Sequence, residues 1–193
     1  YDFIESEKID CENKLYSKYD LLISAHCKRL IPKNITDNLR CINIHPGFNP
    51  HNRGWYPHVF SIINGLPTGA TIHEITEEVD NGPIIVQEEV PVYLHDTSYS
   101  LYQKILHKEV ELFEKHFDSI IQNEYKTFTP LDKGNINYKK DFIKLCAIDS
   151  NNSDTFENHL KLLKALSFEG YNNGFIVDNS GLKTHVRLEL KLE

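Results

Sequence analysis

The stretch "CINIHPGFNPHNRGWYPHVFSIIN" (residues 41–64) holds an apolar run, an abrupt stop and a helical repeat in quick succession. Cys41, Ile42 and Ile44 read as a strand that Pro46 and Gly47 stop. From Arg53 to Asn64 the apolar positions Trp55, Val59, Ile62 and Ile63 recur at helical spacing, and Asn64-Gly65 closes that helix. Asn43 and His45 stand two apart at the strand's end, so alternation points both side chains to one face. On these residues alone the stretch is either an ordinary strand end or half of an active site.

Upstream, "KYDLLISAHC" (18–27) carries the continuous run Leu21, Leu22, Ile23, which suits a fully buried strand in the centre of a parallel sheet. "IPKNITDNLR" (31–40) reads as one or two helical turns. Downstream, "TGATIHEIT" (68–76) and "GPIIVQEEVPV" (82–92) are two further strands, joined by the acidic loop "EEVDNG" with Asp80-Asn81-Gly82 as its turn. The segment from Asp96 to Tyr125 is the longest predicted helix. Asp96, Thr97 or Ser98 caps it, and Leu101, Ile105, Leu106, Val110, Phe113, Phe117, Ile120 and Ile121 form its apolar stripe. Strands alternating with helices predict an α/β layer with a mainly parallel sheet.

Beyond Pro130 the character changes, which divides the chain into residues 1–130 and an extension, 131–193. "LDKGNINYKKD" (131–141) reads as a polar connector. "SDTFENHLKLLKALSF" (153–168) reads as an amphipathic helix capped by Ser153 or Asp154, with Phe156, Leu160, Leu163 and Leu166 on one face. "NGFIVDNSGLKTHVRLELKLE" (173–193) reads as a β-hairpin about "DNSG" with a long alternating second strand. So short a tail cannot bury a core alone, and it is expected to pack on the first part or on a second subunit.

Composition excludes several classes. The 193 residues carry a formal net charge of −7 with 25% charged residues, whereas a nucleic-acid binder needs a basic excess. Cys11, Cys27, Cys41 and Cys146 show neither CxxC spacing nor paired histidines, so neither a zinc site nor a disulfide framework is expected. A reducing cytoplasm fits best. No run is long and apolar enough to cross a membrane, and no signal peptide opens the chain. The sequence starts at Tyr1 and contains no methionine, from which an incomplete N-terminal part is expected.

Asn43 and His45 gain weight beside Asp80, because ligands in a parallel α/β sheet bind beyond the carboxyl ends of the strands. An amide for an oxyanion, an imidazole for a proton and a carboxylate to orient it suit acyl transfer. No serine or cysteine sits in a nucleophile-elbow pattern, so the attacking group would come from the substrate.

The run "NIHPGFNPHNRGWYPHVFSIINGLPTGATIHEITEEVDNGPII" (43–85) resembles the signature of the 10-formyltetrahydrofolate-dependent formyltransferases: N-x-H-P, R-G, an N-G helix end, T-G-x-T-[IL]-H and an acidic D-x-G loop, in order. The resemblance implies a Rossmann-like formyltransferase domain. It gives Asn43 the formyl oxygen, His45 the amine proton and Asp80 the orientation of His45. His73 either supports them or is a structural histidine. It places the folate co-substrate, 10-formyltetrahydrofolate, against "HCKRLIP" through Lys28 and Leu30, with Thr76, Glu77, Val79 and Asp80 as the facing wall. Surface charge for Lys28, and core packing for Leu30 and Val79, are the plainer alternatives.

The extension is similar to that of the nucleotide-sugar N-formyltransferase branch. This implies a dTDP-linked amino-dideoxyhexose as acceptor, dTDP-4-amino-4,6-dideoxyglucose or a 3-amino isomer, for bacterial surface polysaccharide such as O-antigen. It also implies a homodimer through the C-terminal region, and no metal. Asn49, Arg53, Trp55 and Tyr56 are the candidate sugar or diphosphate contacts. Arg53 bracing the helix start and Trp55 as a packing anchor remain open. The rival reading is a non-catalytic folate or nucleotide-sugar binding module.

Overall fold

The computed structural model describes Asp2, Ile4 and residues 15–191. Cys11 and most of the Tyr1–Cys11 segment lie outside the described residues, as do Leu192 and Glu193. The central sheet is built from β1 (Leu21–Ala25), β2 (Arg40–His45), β4 (Gly69–Glu74) and β5 (Ile84–Glu89), in that spatial order. Between them run α1 (Lys33–Thr36), the two-residue β3 (Arg53–Gly54) and α2 (Pro57–Asn64).

The α/β class holds, and the terminal hairpin is present. The expectation of a mainly parallel sheet does not hold for the described strands. β1 and β2 are parallel, but β2 pairs antiparallel with β4 and β4 with β5. The chain returns through the Ile75–Pro83 loop directly into the neighbouring strand, which forces a hairpin. Among the described strands β1 lies at the sheet's edge, and Leu21, Leu22 and Ile23 are only half-buried rather than central.

The sheet's inner face is apolar where α3 (Ser98–Gln122) lies on it. Ile42, Ala70 and Ile72 meet Leu112 and Ile120 in one buried cluster. Burying each of these large side chains contributes on the order of 1.5–3 kcal/mol. Thr97 caps α3 by accepting from the Ser100 amide, completing a capping box with the Ser100 side chain, as the sequence suggested. The buried stripe is narrower than expected. Leu101, Ile105, Leu112 and Ile120 are buried, while Val110, Phe117 and Ile121 are about half exposed (55%, 44% and 47%) on the neighbouring face. Glu109 occupies the inward position between Ile105 and Leu112.

α2 begins at Pro57, four residues later than the apolar spacing suggested. Proline suits the first helical position, where its missing N–H costs nothing, and Tyr56 before it sits in the left-handed region at φ 54°. Gly65, also left-handed, closes the helix. Arg53 and Gly54 instead pair in parallel with β6 (Ile136–Asn137), so the expected connector is stitched into the fold.

Asn52 makes that stitch. It is 1% exposed, donates to Ser61 Oγ at 3.0 Å, and accepts from the side-chain amides of Asn64 and Asn135, each at 2.8 Å. Asn52→Ala should destabilise the protein by roughly 1–3 kcal/mol, because it leaves the buried Ser61 hydroxyl without its donor and unties the Asn64 and Asn135 side chains from the fold. Urea denaturation reads this directly, and a midpoint within error of the parent would show the knot to be dispensable.

The extension continues with α4 (Lys139–Cys146), α5 (Phe156–Leu166), the small hairpin β7 (Ser167–Phe168) and β8 (Tyr171–Asn172), then β9 (Gly174–Val177) and β10 (Lys183–Val186). Thr155 is the cap of α5, accepting from the Asn158 amide, one residue beyond Asp154. Phe156 is 82% exposed and does not join the buried face. Ala165 shares a core cluster with Val59, Ile62, Val90, Leu101 and Ile105, so the extension packs on α2 and α3 as expected of a tail without its own core. β9 and β10 form the hairpin about Asp178–Gly181, but β10 stops at Val186. Beyond it the Leu188 amide donates to Ser167 Oγ at 2.7 Å.

Candidate active site

Antiparallel register sets Asn43 directly opposite His73 and His45 opposite Thr71, so two neighbouring strands deliver polar groups to one spot. The loop after β4 brings Asp80 to them. Its left-handed backbone (φ 47°) is one that Asp tolerates better than most residues. The Asp80 carboxylate accepts from Asn43 Nδ2 at 3.1 Å through Oδ1 and from the Gly54 amide at 3.0 Å through Oδ2. Its Oδ2 also lies 3.5 Å from His45 Nδ1, and its Oδ1 3.7 Å from His73 Nε2. The three residues singled out in the sequence are therefore brought together, with His73 as a fourth.

Proton positions follow from the partners. His73 Nδ1 faces the Glu74 carbonyl at 2.7 Å and so carries the hydrogen, which leaves Nε2 to accept from Asn43 Nδ2 at 3.3 Å. His45 Nδ1 faces a carboxylate, so its hydrogen belongs there and Nε2 keeps the lone pair. That Nε2 is buried and has no partner within the described protein. Glycine at position 47 makes its space, since a Cβ there would stand 2.4 Å from His45 Nε2. At Gly54 a Cβ would lie 2.5 Å from the Asn137 carbonyl, and φ is +87°. Glycine there lets the backbone approach closely enough to donate to Asp80.

Burial decides the charges. His45 is 4% exposed, and loss of solvent pushes its pKa from 6.5 down to about 4, although the neighbouring Asp80 carboxylate opposes this. Burial would raise Asp80, but His45, His73 and the Gly54 amide outweigh it and hold the carboxyl well below the usual range. At neutral pH the site is thus a carboxylate beside a neutral imidazole, poised to accept a proton.

The set opens on a cavity of about 1000 Å³. Lys28, Leu30, Thr76, Glu77 and Val79 line it, as do Trp55 and Tyr56. Leu30, Ile31, Pro32, Ile75 and Val79 give it an apolar side beside exposed backbone, which suits a flat ring with polar edges. Among the described residues no group of His, Cys, Asp and Glu is placed to hold a metal ion.

Asn49 and Arg53 do not line the cavity, contrary to the expectation of substrate contacts. Asn49 is buried and donates to the Asp80 carbonyl at 2.9 Å. Arg53 donates to the Val79 and Lys133 carbonyls at 3.0 and 3.3 Å. Both brace the Asp80 loop from behind, Arg53 from β3 and Asn49 from the turn before it. Trp55 lies under Lys139, 5.4 Å from ring centre to Nζ, and beside Tyr56, which packs on Phe142 at 4.1 Å.

Sequence reasoning missed much of the remaining wall: His26, His58, Tyr102, Phe168, Tyr171 and Asn173. His26 had a signal, since it follows the end of β1 as Asn43 and His45 end β2. The others come from separate helices and the extension and share no local motif.

Residues 6–116 match the family described as "Formyl transferase", and residues 141–192 match the "N-formyltransferase dimerization C-terminal domain". The chain is 45% identical over 180 residues to the dTDP-4-amino-4,6-dideoxyglucose formyltransferase of Mycobacterium bovis, covering 93% of this chain and 77% of that one. A 4-N formyltransferase from Francisella tularensis superposes with a TM-score of 0.93 at 44% identity, covering 98% of this chain and 78% of that one. A formyltransferase from Anoxybacillus kamchatkensis was solved with a UDP-linked 4,6-dideoxy-4-formamido sugar and tetrahydrofolate. It superposes with a TM-score of 0.64 at 26% identity, covering 74% of each chain.

Proposed function

Because the chain belongs to the formyl transferase family, we propose that it formylates the amine of dTDP-4-amino-4,6-dideoxyglucose with 10-formyltetrahydrofolate. The observation that carries this is the Asn43, His45 and Asp80 cluster opening on a cavity of about 1000 Å³ with one apolar side, in a chain 45% identical to an enzyme of that name. The 3-amino alternative has weaker support, because a sugar 3-N-formyltransferase matches at only 26% identity.

The donor supplies an electrophilic formyl carbon, and Leu30, Ile75, Thr76 and Val79 would hold its ring system. The acceptor's neutral amine forms the new C–N bond, the bond to the folate nitrogen breaks, and the products are a formamide and tetrahydrofolate. His45 Nε2 takes the proton the amine sheds and returns it to the departing folate nitrogen, which leaves as the N–H of tetrahydrofolate. Asp80 fixes His45 in the tautomer that leaves this nitrogen free. Asn43 offers an amide hydrogen to the oxygen on which negative charge develops. Its hydrogen toward His73, at 3.3 Å the longer of its two bonds, is the one to turn.

The residues 131–193 extension serves as the dimerising unit behind residues 1–130, consistent with the dimerization domain match at 141–192. No helix among the described residues is long and apolar enough to cross a membrane. Three free cysteines among those residues support a reducing cytoplasm, where a nucleotide sugar destined for surface polysaccharide would be modified.

Mass spectrometry of the nucleotide sugar after incubation with 10-formyltetrahydrofolate tests the reaction. A gain of one formyl group is expected, and tight binding without product would instead support the binding-module reading. Asn43→Ala should cut kcat roughly 100-fold while acceptor affinity changes little, since its partner oxygen is charged mainly in the transition state. An unchanged kcat would remove Asn43 from the mechanism.

A further inference from the structure

A second polar chain reaches the cavity from α3 and is not used by the steps above. Glu109 is 4% exposed on the buried face of α3, between Ile105 and Leu112. Its Oε2 lies 2.8 Å from His26 Nε2, and its Oε1 is buried with no partner among the described residues. His26 Nδ1 in turn lies 3.0 Å from the Tyr102 hydroxyl. His26 and Tyr102 both line the cavity. The Tyr102 ring packs against His58 at 4.8 Å and Phe168 at 5.8 Å. This is the part of the wall that the Ile75–Val79 segment does not build. His58 is also buried, with an Nδ1 that finds no partner among the described residues.

A carboxylate on an apolar helix face costs stability unless something requires it. Here it fixes the hydrogen of His26 on Nε2, because an ionised carboxylate only accepts. His26 Nδ1 then holds the Tyr102 hydroxyl by one of its three hydrogen-bonding capacities and leaves two for the cavity. Because Nδ1 keeps the lone pair, the Tyr102 hydrogen points to it, and the two sites left are acceptors that a donating group satisfies. A sugar hydroxyl is such a group, whereas the apolar walls near Leu30 and Ile75 suit the folate ring.

We propose that Tyr102 is a substrate-binding residue for a hydroxyl of the acceptor sugar, held in place by His26 and Glu109 as positioning residues. This rests on the acceptor being an amino sugar, as argued above. The test compares the parent with Tyr102→Phe, Glu109→Gln and the double variant, all nearly isosteric. Calorimetry reads binding of dTDP-4-amino-4,6-dideoxyglucose without the folate donor, and steady-state kinetics reads both KM values.

Tyr102→Phe should weaken acceptor binding and raise its KM roughly 5- to 10-fold, with the donor KM within about 2-fold. Glu109→Gln should shift the same constant in the same direction by a smaller factor. The double variant should bind no more weakly than Tyr102→Phe alone, because Glu109 acts through Tyr102. A merely structural carboxylate would instead give additive losses or move both KM values, and either result overturns the proposal, as does unchanged acceptor affinity in Tyr102→Phe. If Glu109→Gln fails to fold, His26→Gln at the exposed end of the chain carries the same expectation. Binding without formamide would count against the reaction and leave this inference decided by calorimetry. A parent protein with no affinity for the nucleotide sugar would overturn both.

Discussion

Asp80→Asn should lower kcat by roughly two to three orders of magnitude, the range expected when a group that organises charge in the transition state is lost. The substitution preserves shape, so the loss comes from hydrogen-bonding polarity. Asp80 offers only acceptors, to Asn43 Nδ2, to the Gly54 amide and to the His45 Nδ1 side. An asparagine has one oxygen and one NH2 group. If its oxygen serves Gly54, the NH2 confronts the Asn43 amide, donor against donor. If its oxygen serves Asn43, the NH2 confronts the Gly54 amide. Either orientation also removes the anion that keeps the His45 hydrogen on Nδ1, so the catalytic Nε2 lone pair is no longer guaranteed. Both KM values should stay within about threefold, because Asp80 sets transition-state geometry rather than ground-state contacts. Single-turnover kinetics with thermal melts alongside measures this. A kcat within threefold of the parent in a folded variant would show that Asp80 does not organise the site.

The cluster was legible because its physics is local in part. Period-two alternation places Asn43 and His45 on one face of β2 whatever the sheet's topology, and Asp-Asn-Gly reads as a turn in any context. Strand direction was not legible, because a run such as Leu21–Ile23 looks the same beside a parallel or an antiparallel neighbour. Asn49 and Arg53 misled through proximity in sequence. The helix that Arg53 was expected to open begins only at Pro57, and β3 carries Arg53, like Asn49 before it, to the back of the Asp80 loop. The wall formed by His58, Tyr102 and Phe168 draws on α2, α3 and the extension, so it exists only after long-range packing. Glu109 did leave a trace, as a carboxylate interrupting the apolar spacing of Leu101, Ile105 and Leu112. That kind of interruption marks a buried charge with a purpose.

His45→Gln should reduce kcat by roughly 100- to 10,000-fold, the contribution of a positioned general base, and no change of pH should restore it. The companion expectation concerns charge. Buried at 4% exposure and held to about 4, the His45 ring stays neutral at and above pH 6, where an ordinary histidine is already partly charged. Ring-carbon NMR shifts of the parent, assigned by comparison with His45→Gln, should therefore show the His45 ring silent from pH 8 to 5, as His58 should be too. Its folded pKa lies below the unfolded value of 6.5, so the unfolded chain takes up the proton first. The stability this neutral ring allows is complete above about pH 6.5 and is lost as pH falls toward about 4, on the order of 3 kcal/mol in all. His58, pushed by burial to about 3, adds to the same acid sensitivity. Denaturation midpoints at pH 7 and pH 5 should consequently differ less in His45→Gln than in the parent. A ring titrating near 6.5, or an equal loss of stability in both proteins, would mean that His45 is solvated rather than buried. Its lone pair would then be free only as the pH rises past about 6.5, and the rate would fall on the acid side of that value.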